Sequence, residues 1–345
     1  MNKKQDALVP VFGALCFFLS AIEFVIPKPL PFLRIGLANV PLLLALDVLS
    51  FPAFLLLTVI KILGQAFISG TLFSYLILFS AAGTSGAALM MYALHKIPRK
   101  ALSLAGISMA GAFASNCIQL FIGRFCIFGE GILYMIPPFL FIGAVTSLIL
   151  GIFCENFEAE SEWYAHIRDA DSPLYVQLPD TTDPATHPWI RLITGFTLLI
   201  ALLFIPGLPA KAIIFAAGFL LCLAEKQKIY WIPLCISTVG IVTCHLFIPV
   251  GKELLSIGNF SLTSGALLNG SEKALILQAM IFLSRWTLQV RIRFPGLPGI
   301  ILDESLYIFK QLLEFKDKIR PRHIITSIDE LLLGLPYIVK QPKDV

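Results

Sequence analysis

Charge is what this chain has least of. Only 14% of its 345 residues are charged and 57% are hydrophobic, whereas soluble domains carry about 25% charged residues. A water-soluble fold is excluded on that ground, and lipid is the medium that remains. Catalytic motifs are missing as well. Without a GxxxxGK[ST] loop the chain cannot cradle and hydrolyse ATP by itself, so any use of ATP has to come from a separate subunit. Without HExxH, GxSxG or a DDxxD pair, the common metalloprotease, serine hydrolase and prenyl-diphosphate chemistries fall away. The five histidines, His95, His166, His187, His245 and His323, stand far apart. Seven cysteines form no CxxC pair and no metal-ligand spacing, and they read as packing residues. No dense basic tract accompanies the net charge of +4, so nucleic acid is not expected as a partner. The expectation is a non-enzyme with no catalytic residue, no cofactor and no metal site.

What is present is hydrophobic length. Apolar runs of roughly 18–22 residues recur, about twice what a tilted barrel strand needs, so the spanning elements are helices. The amino half offers six candidates, at 7–26, 35–49, 52–64, 72–94, 101–123 and 132–153. The first is too long for a secretory h-region and no small-residue cleavage pattern closes it, so it reads as a span. Residues 155–189 then carry eight acidic side chains, from Glu155 to Asp183, against the single Arg168. This segment is expected to be a solvated linker. Four more candidates follow at 190–205, 209–224, 229–248 and 274–290. The predicted fold is all-α, a polytopic membrane protein of about ten transmembrane helices in two bundles, six plus four, with a helical tail. The corresponding domains are 1–154, the acidic linker 155–189, 190–290 and the tail 291–345.

In that tail Leu302, Leu306, Phe309 and Leu313 share one helical face, and Ile324, Ile328 and Leu332 make a second stripe. Two amphipathic helices are expected, lying on the membrane face or against a partner. Lys96, Arg99 and Lys100 follow the fourth span, and Lys226 and Lys228 the eighth. The positive-inside rule assigns both loops to the cytoplasm, and with them both termini and the linker.

Polar residues inside the apolar runs are unevenly distributed. Glu23 closes the first span, Arg34 and Asn39 open the second, Lys61 and Gln65 end the third, and Asn116, Gln119 and Arg124 end the fifth. All fall toward the outer side in this topology. An unpaired ionisable group in a bilayer costs roughly 3 kcal/mol or more, so such residues face one another or a cavity. Lys61 and Gln65 are four apart and Asn116 and Gln119 three apart, so each pair shares a helix face. Gly106, Ala110 and Ala114 form a small-residue stripe that admits a neighbouring helix. The bland alternative is that Glu23 pairs with Lys61 or Arg34 for structural reasons while Arg34 and Arg124 snorkel. The functional one is a solute pocket open to the outside, lined by Glu23, Arg34, Asn39, Lys61, Gln65, Asn116 and Gln119. Pro27, Pro29 and Pro31 stiffen the segment beside it, which reads either as a helix breaker or as a lid.

The run IEFVIPKPLPFLRIGLANVPLLLAL at 22–46, with GTLFSYLILFSAAGTSGAALMM at 70–91 and GISMAGAFASNCIQL at 106–120, resembles a bacterial membrane family known as Gx transporters or heptaprenyl diphosphate synthase component I. That family is similar to the substrate-binding S component of energy-coupling factor transporters. The resemblance implies a six-helix fold that captures a vitamin-like, flavin or isoprenoid or quinone-precursor solute, with Glu23, Arg34, Asn39, Asn116 and Gln119 at motif positions. The family carries an arginine where Lys61 stands and a His-Asn pair where this chain has Ser115 and Asn116. More faintly, SLTSGALLNGSEKALILQAMIFLSRW at 261–286 is similar to the transmembrane T component, whose coupling helices dock on ATPases. By that likeness Arg320 and Arg322 are the candidate partner-binding residues. The implied function is a transporter module of the bacterial cytoplasmic membrane, working with a small-molecule solute, membrane lipid and separate ABC-type ATPase subunits. The alternative is a non-catalytic accessory subunit of heptaprenyl diphosphate synthesis.

Overall fold

The computed structural model describes residues 3–26, 35–168, 188–247, 250–257, 260–288, 296–314 and 324–334. They are predominantly helical. Five helical stretches are long and apolar enough to cross a membrane: Ala7–Phe24, Phe51–Ser69, Leu76–His95, Leu104–Glu160 and Ser264–Thr287. Their outward faces carry Phe113, Phe121, Phe125, Phe141 and Ile149, each at least 60% exposed, a surface that water would not tolerate but lipid does.

The amino half contains α1 (Lys3–Val25), α2 (Val40–Ala45), α3 (Phe51–Ser69), α4 (Leu76–His95), α5 (Leu104–Gly123) and α6 (Ile136–Glu160). The run 35–49 is not a spanning helix. Gly36 takes a left-handed φ of 94°, a 3-10 turn follows at Leu37–Asn39, and only the six residues of α2 are α-helical. All six are buried, so their apolarity fills the protein interior instead of facing lipid. Between α5 and α6 the chain tightens through a π turn, Arg124–Phe128, and a 3-10 stretch, Gly129–Met135.

The acidic segment departs from the expected linker at its start. α6 runs on to Glu160, and α7 (Glu162–Arg168) follows at once. Trp163, Tyr164 and Ile167 are buried in the amino half's core. The Tyr164 hydroxyl donates to the Leu44 carbonyl at 2.9 Å, and the Trp163 ring meets Phe12 edge-on at 5.8 Å.

Four apolar helices follow: α8 (Pro188–Phe204), α9 (Leu208–Ala224), α10 (Trp231–Leu246) and α11 (Ser264–Thr287). Between the last two lies an element that the all-α expectation omitted, an antiparallel hairpin of β1 (Glu253–Ile257) and β2 (Phe260–Thr263).

The tail is also relocated. α12 (Leu297–Glu314) lies along α1 and α3. Its stripe is covered by the protein itself: Leu302 and Phe309 are buried, and Leu306 and Leu313 pack on the same core. At Gly13 a Cβ would come within 2.5 Å of the Ser305 hydroxyl, and Phe17 meets Phe309 edge-on at 6.2 Å. α13 (Ile324–Leu333) packs on α6 and α7. There Asp329 accepts hydrogen bonds from the Ser161 hydroxyl, the Glu162 amide at 3.1 Å and the Trp163 amide at 3.0 Å. From the second stripe Leu332 is buried and Ile328 packs on the same core.

The two basic loops lie at opposite ends of the amino half. Arg99 pairs with Asp47 and reaches Glu158 at 3.9 Å, at the end that also holds α7. The Lys228 carbonyl instead accepts from Arg285 at 2.8 Å, and Arg285 lies against Gly70, at the far end of α3 and α4. The loop-charge reading, which put both on one face, does not fit this packing.

Candidate functional site

Six of the seven sequence-selected solute residues line one cavity. α1 brings Glu23, the 3-10 turn Asn39, α3 Lys61 and Gln65, and α5 Asn116 and Gln119. The seventh, Arg34, lies outside the described residues, as do Pro27, Pro29, Pro31, Arg320 and Arg322. Arg124 is elsewhere: it is half-exposed and paired with Glu130 at 2.5 Å.

Burial is deep. Glu23 is 1% exposed, Lys61 2%, Gln119 2% and Asn116 9%. Glu23 owes its position to the irregular segment after the first span: its carboxylate accepts from the Ile35 amide at 2.9 Å and from the Gly36 amide at 3.2 Å. Those amides begin a 3-10 turn and so have no helical partner. The same turn presents Asn39, whose Oδ1 accepts from the Lys61 ammonium. An ammonium and a carboxylate therefore share one chamber, which lessens the cost of burying each.

The α5 side is built on glycine. The Asn116 amide occupies the space where a Cβ of Gly143 on α6 would stand, and the Gln119 amide lies where a Cβ of Gly83 on α4 would meet it at 2.5 Å. Gln119 Nε2 donates to the Ser115 hydroxyl at 2.9 Å. Its Oε1 is buried and has no hydrogen-bond partner among the described residues. The Ser108 hydroxyl donates to the Ser147 carbonyl at 2.8 Å and ties α5 to α6 across the cavity wall.

Sequence reasoning missed Ser108, Thr84, Thr146 and Ser147, which with Ser115 add hydroxyls to the lining. Small hydroxyl residues are common in membrane helices, and only the place of Ser115 four residues before Gln119 gave a signal. At Gly106, the first residue of the small-residue stripe, a Cβ would meet the Leu102 side chain of its own segment, while Gly151 of α6 lies against Ala105.

Space is limited. The cavity measures about 40 Å³, room for a few water molecules. Chemically it offers a cation that donates and a buried carbonyl with no donor among the described residues. It holds no cluster of three or more metal-ligating side chains among the described residues.

Residues 12–157, which contain all of these positions, match the family model described as heptaprenyl diphosphate synthase component I. Residues 187–290 match a domain of unknown function, which supports no T-component assignment for that region. No curated protein and no solved structure matches the chain.

Proposed function

We propose that this chain is a membrane subunit that captures a small solute in the cavity of its amino half, in the manner of the energy-coupling factor S components it resembles. The observation that carries this reading is one buried chamber that holds both the Lys61 ammonium and the Gln119 carbonyl, the latter without a donor among the described residues. A solute head that gives an N–H or O–H to Gln119 and also accepts from Lys61 fits this arrangement. At about 40 Å³ the chamber suits such a head and not a whole flavin.

The rest of the reading follows the sequence. The protein would sit in the bacterial cytoplasmic membrane, with both termini and the Lys96 loop on the inner side. Energy for uptake would come from separate ATPase subunits. Because Leu302 and Phe309 of α12 and Ile328 and Leu332 of α13 pack on the amino half's core, such subunits would engage other cytoplasmic surface.

A second reading has its own support. The family description of residues 12–157 names a component of heptaprenyl diphosphate synthase, which fits a non-catalytic membrane accessory of polyprenyl diphosphate synthesis. The two readings diverge in an extraction experiment. Full-length protein purified in lipid discs is denatured and its small molecules are identified by mass spectrometry, beside the Lys61→Met and Gln119→Leu variants. A compound with a donor-and-acceptor head, present in the wild type and lost from both variants, is the expected result. Equal recovery from all three would reject the capture site. Co-purification of a soluble DDxxD synthase with no retained solute would favour the accessory role.

A further inference from the structure

A second cavity, of about 150 Å³, lies where the amino half meets α10 and α11. Its wall is mainly apolar, with Phe24, Ile68, Leu234, Ile281 and Phe282 among the lining residues. Glu23 and Gln65 line this cavity and the inner chamber alike, so two side chains form the divide between them. In that divide the Glu23 carboxylate accepts from the amides of Ile35 and Gly36.

Ser20, 3% exposed, also lines the junction chamber. An apolar chamber of this size accepts a benzene-sized group.

Resting on the capture reading above, we propose that the solute is amphipathic: its hydrogen-bonding head occupies the inner chamber at Lys61 and Gln119, and its short apolar portion, about five carbons long, passes Glu23 and Gln65 into the junction chamber. The carboxyl half then completes the binding site. Ile281 and Leu234 set which apolar portions fit, while Lys61 and Gln119 set which heads do.

Monoalkyl ureas from methylurea to hexylurea test this, because the urea head accepts and donates at once and the chain grows one carbon at a time. Dissociation constants are measured by saturation-transfer NMR on full-length protein in lipid discs, with partition into empty discs subtracted. In the wild type each methylene up to about pentyl is expected to tighten binding roughly three- to fourfold. Ile281→Trp, and independently Leu234→Trp, should abolish that dependence on length and leave methylurea within twofold of the wild type. A wild-type series with no dependence on length, or a dependence that survives in both tryptophan variants, overturns the junction site and leaves head capture standing. Failure of every urea to bind the wild type overturns head capture, and the junction site with it.

Discussion

Asp329 should act as the latch that holds the carboxyl-terminal helix against the amino half, and its replacement by alanine gives a calculable effect. The carboxylate is 8% exposed and accepts three hydrogen bonds, from the Ser161 hydroxyl and from the amides of Glu162 and Trp163. Those amides open α7 and have no helical acceptor. Hydrogen bonds to a charged group contribute about 1.5–3 kcal/mol each, but the three are not additive. Ser161 keeps its bond from the Tyr164 amide at 3.0 Å, and burying the carboxylate itself carries a desolvation cost. A net loss of about 3 kcal/mol is expected, and since 1.4 kcal/mol is tenfold, local opening should become roughly 100-fold more frequent. Hydrogen exchange of the full-length protein in discs reads this directly. Amides of 324–333 should exchange about two orders of magnitude faster in Asp329→Ala, and those of α4 and α5 should keep the wild-type rates. Unchanged exchange in 324–333 would refute the latch and reopen the tail as a free docking element.

Further expectations are sharper locally. Gly143→Ala places a Cβ on the Asn116 amide and should destabilise by about 1–3 kcal/mol, the usual cost of overpacking; an unchanged thermal midpoint with retained solute would mean that α5 and α6 are not so close. Tyr164→Phe removes a buried donor to the Leu44 carbonyl and should cost about 1–2 kcal/mol in denaturant unfolding, whereas neutrality would place Tyr164 in water. Gly13→Leu should displace α12, because Ser305 stands 2.5 Å from where the Cβ would be; cross-linking of cysteines placed at 17 and 309 would then fall, and persistent cross-linking would contradict the packing. Cysteines at 96 and 228 should react from opposite membrane faces, since Lys228 sits with Arg285 and Gly70 and Lys96 is at the other end of α4. Labelling of both from one side would reject this arrangement.

The site was legible because charge and amide side chains are conspicuous inside apolar runs. Glu23, Asn39, Lys61, Gln65, Asn116 and Gln119 stood out by cost alone, and their spacing gave faces. Their shared cavity depends on turns that hydropathy does not register. The run at 35–49 shows the limit: six buried residues of α2 are as apolar as a lipid-facing helix, and composition does not distinguish protein interior from bilayer. The start of the acidic segment shows the converse. Eight carboxylates in 155–189 masked Trp163, Tyr164 and Ile167, which share one face of a short helix and belong to the core. Tail stripes were readable as amphipathic helices, but a stripe carries no record of what covers it. The β-hairpin has a visible signal, Gly258 and Asn259 between short runs rich in leucine, serine and isoleucine, but those runs are too short to register as hydrophobic spans.

The central claim, that the amino half holds a solute between Lys61 and Gln119, is tested most directly by a cryo-electron-microscopy map of the full-length protein in lipid discs prepared from native membranes. The account predicts a compact density in the chamber within hydrogen-bond distance, about 2.7–3.2 Å, of both Lys61 Nζ and Gln119 Oε1. A chamber closed by collapse of Asn116 and Gln119 onto Lys61, with no density between them, would contradict it.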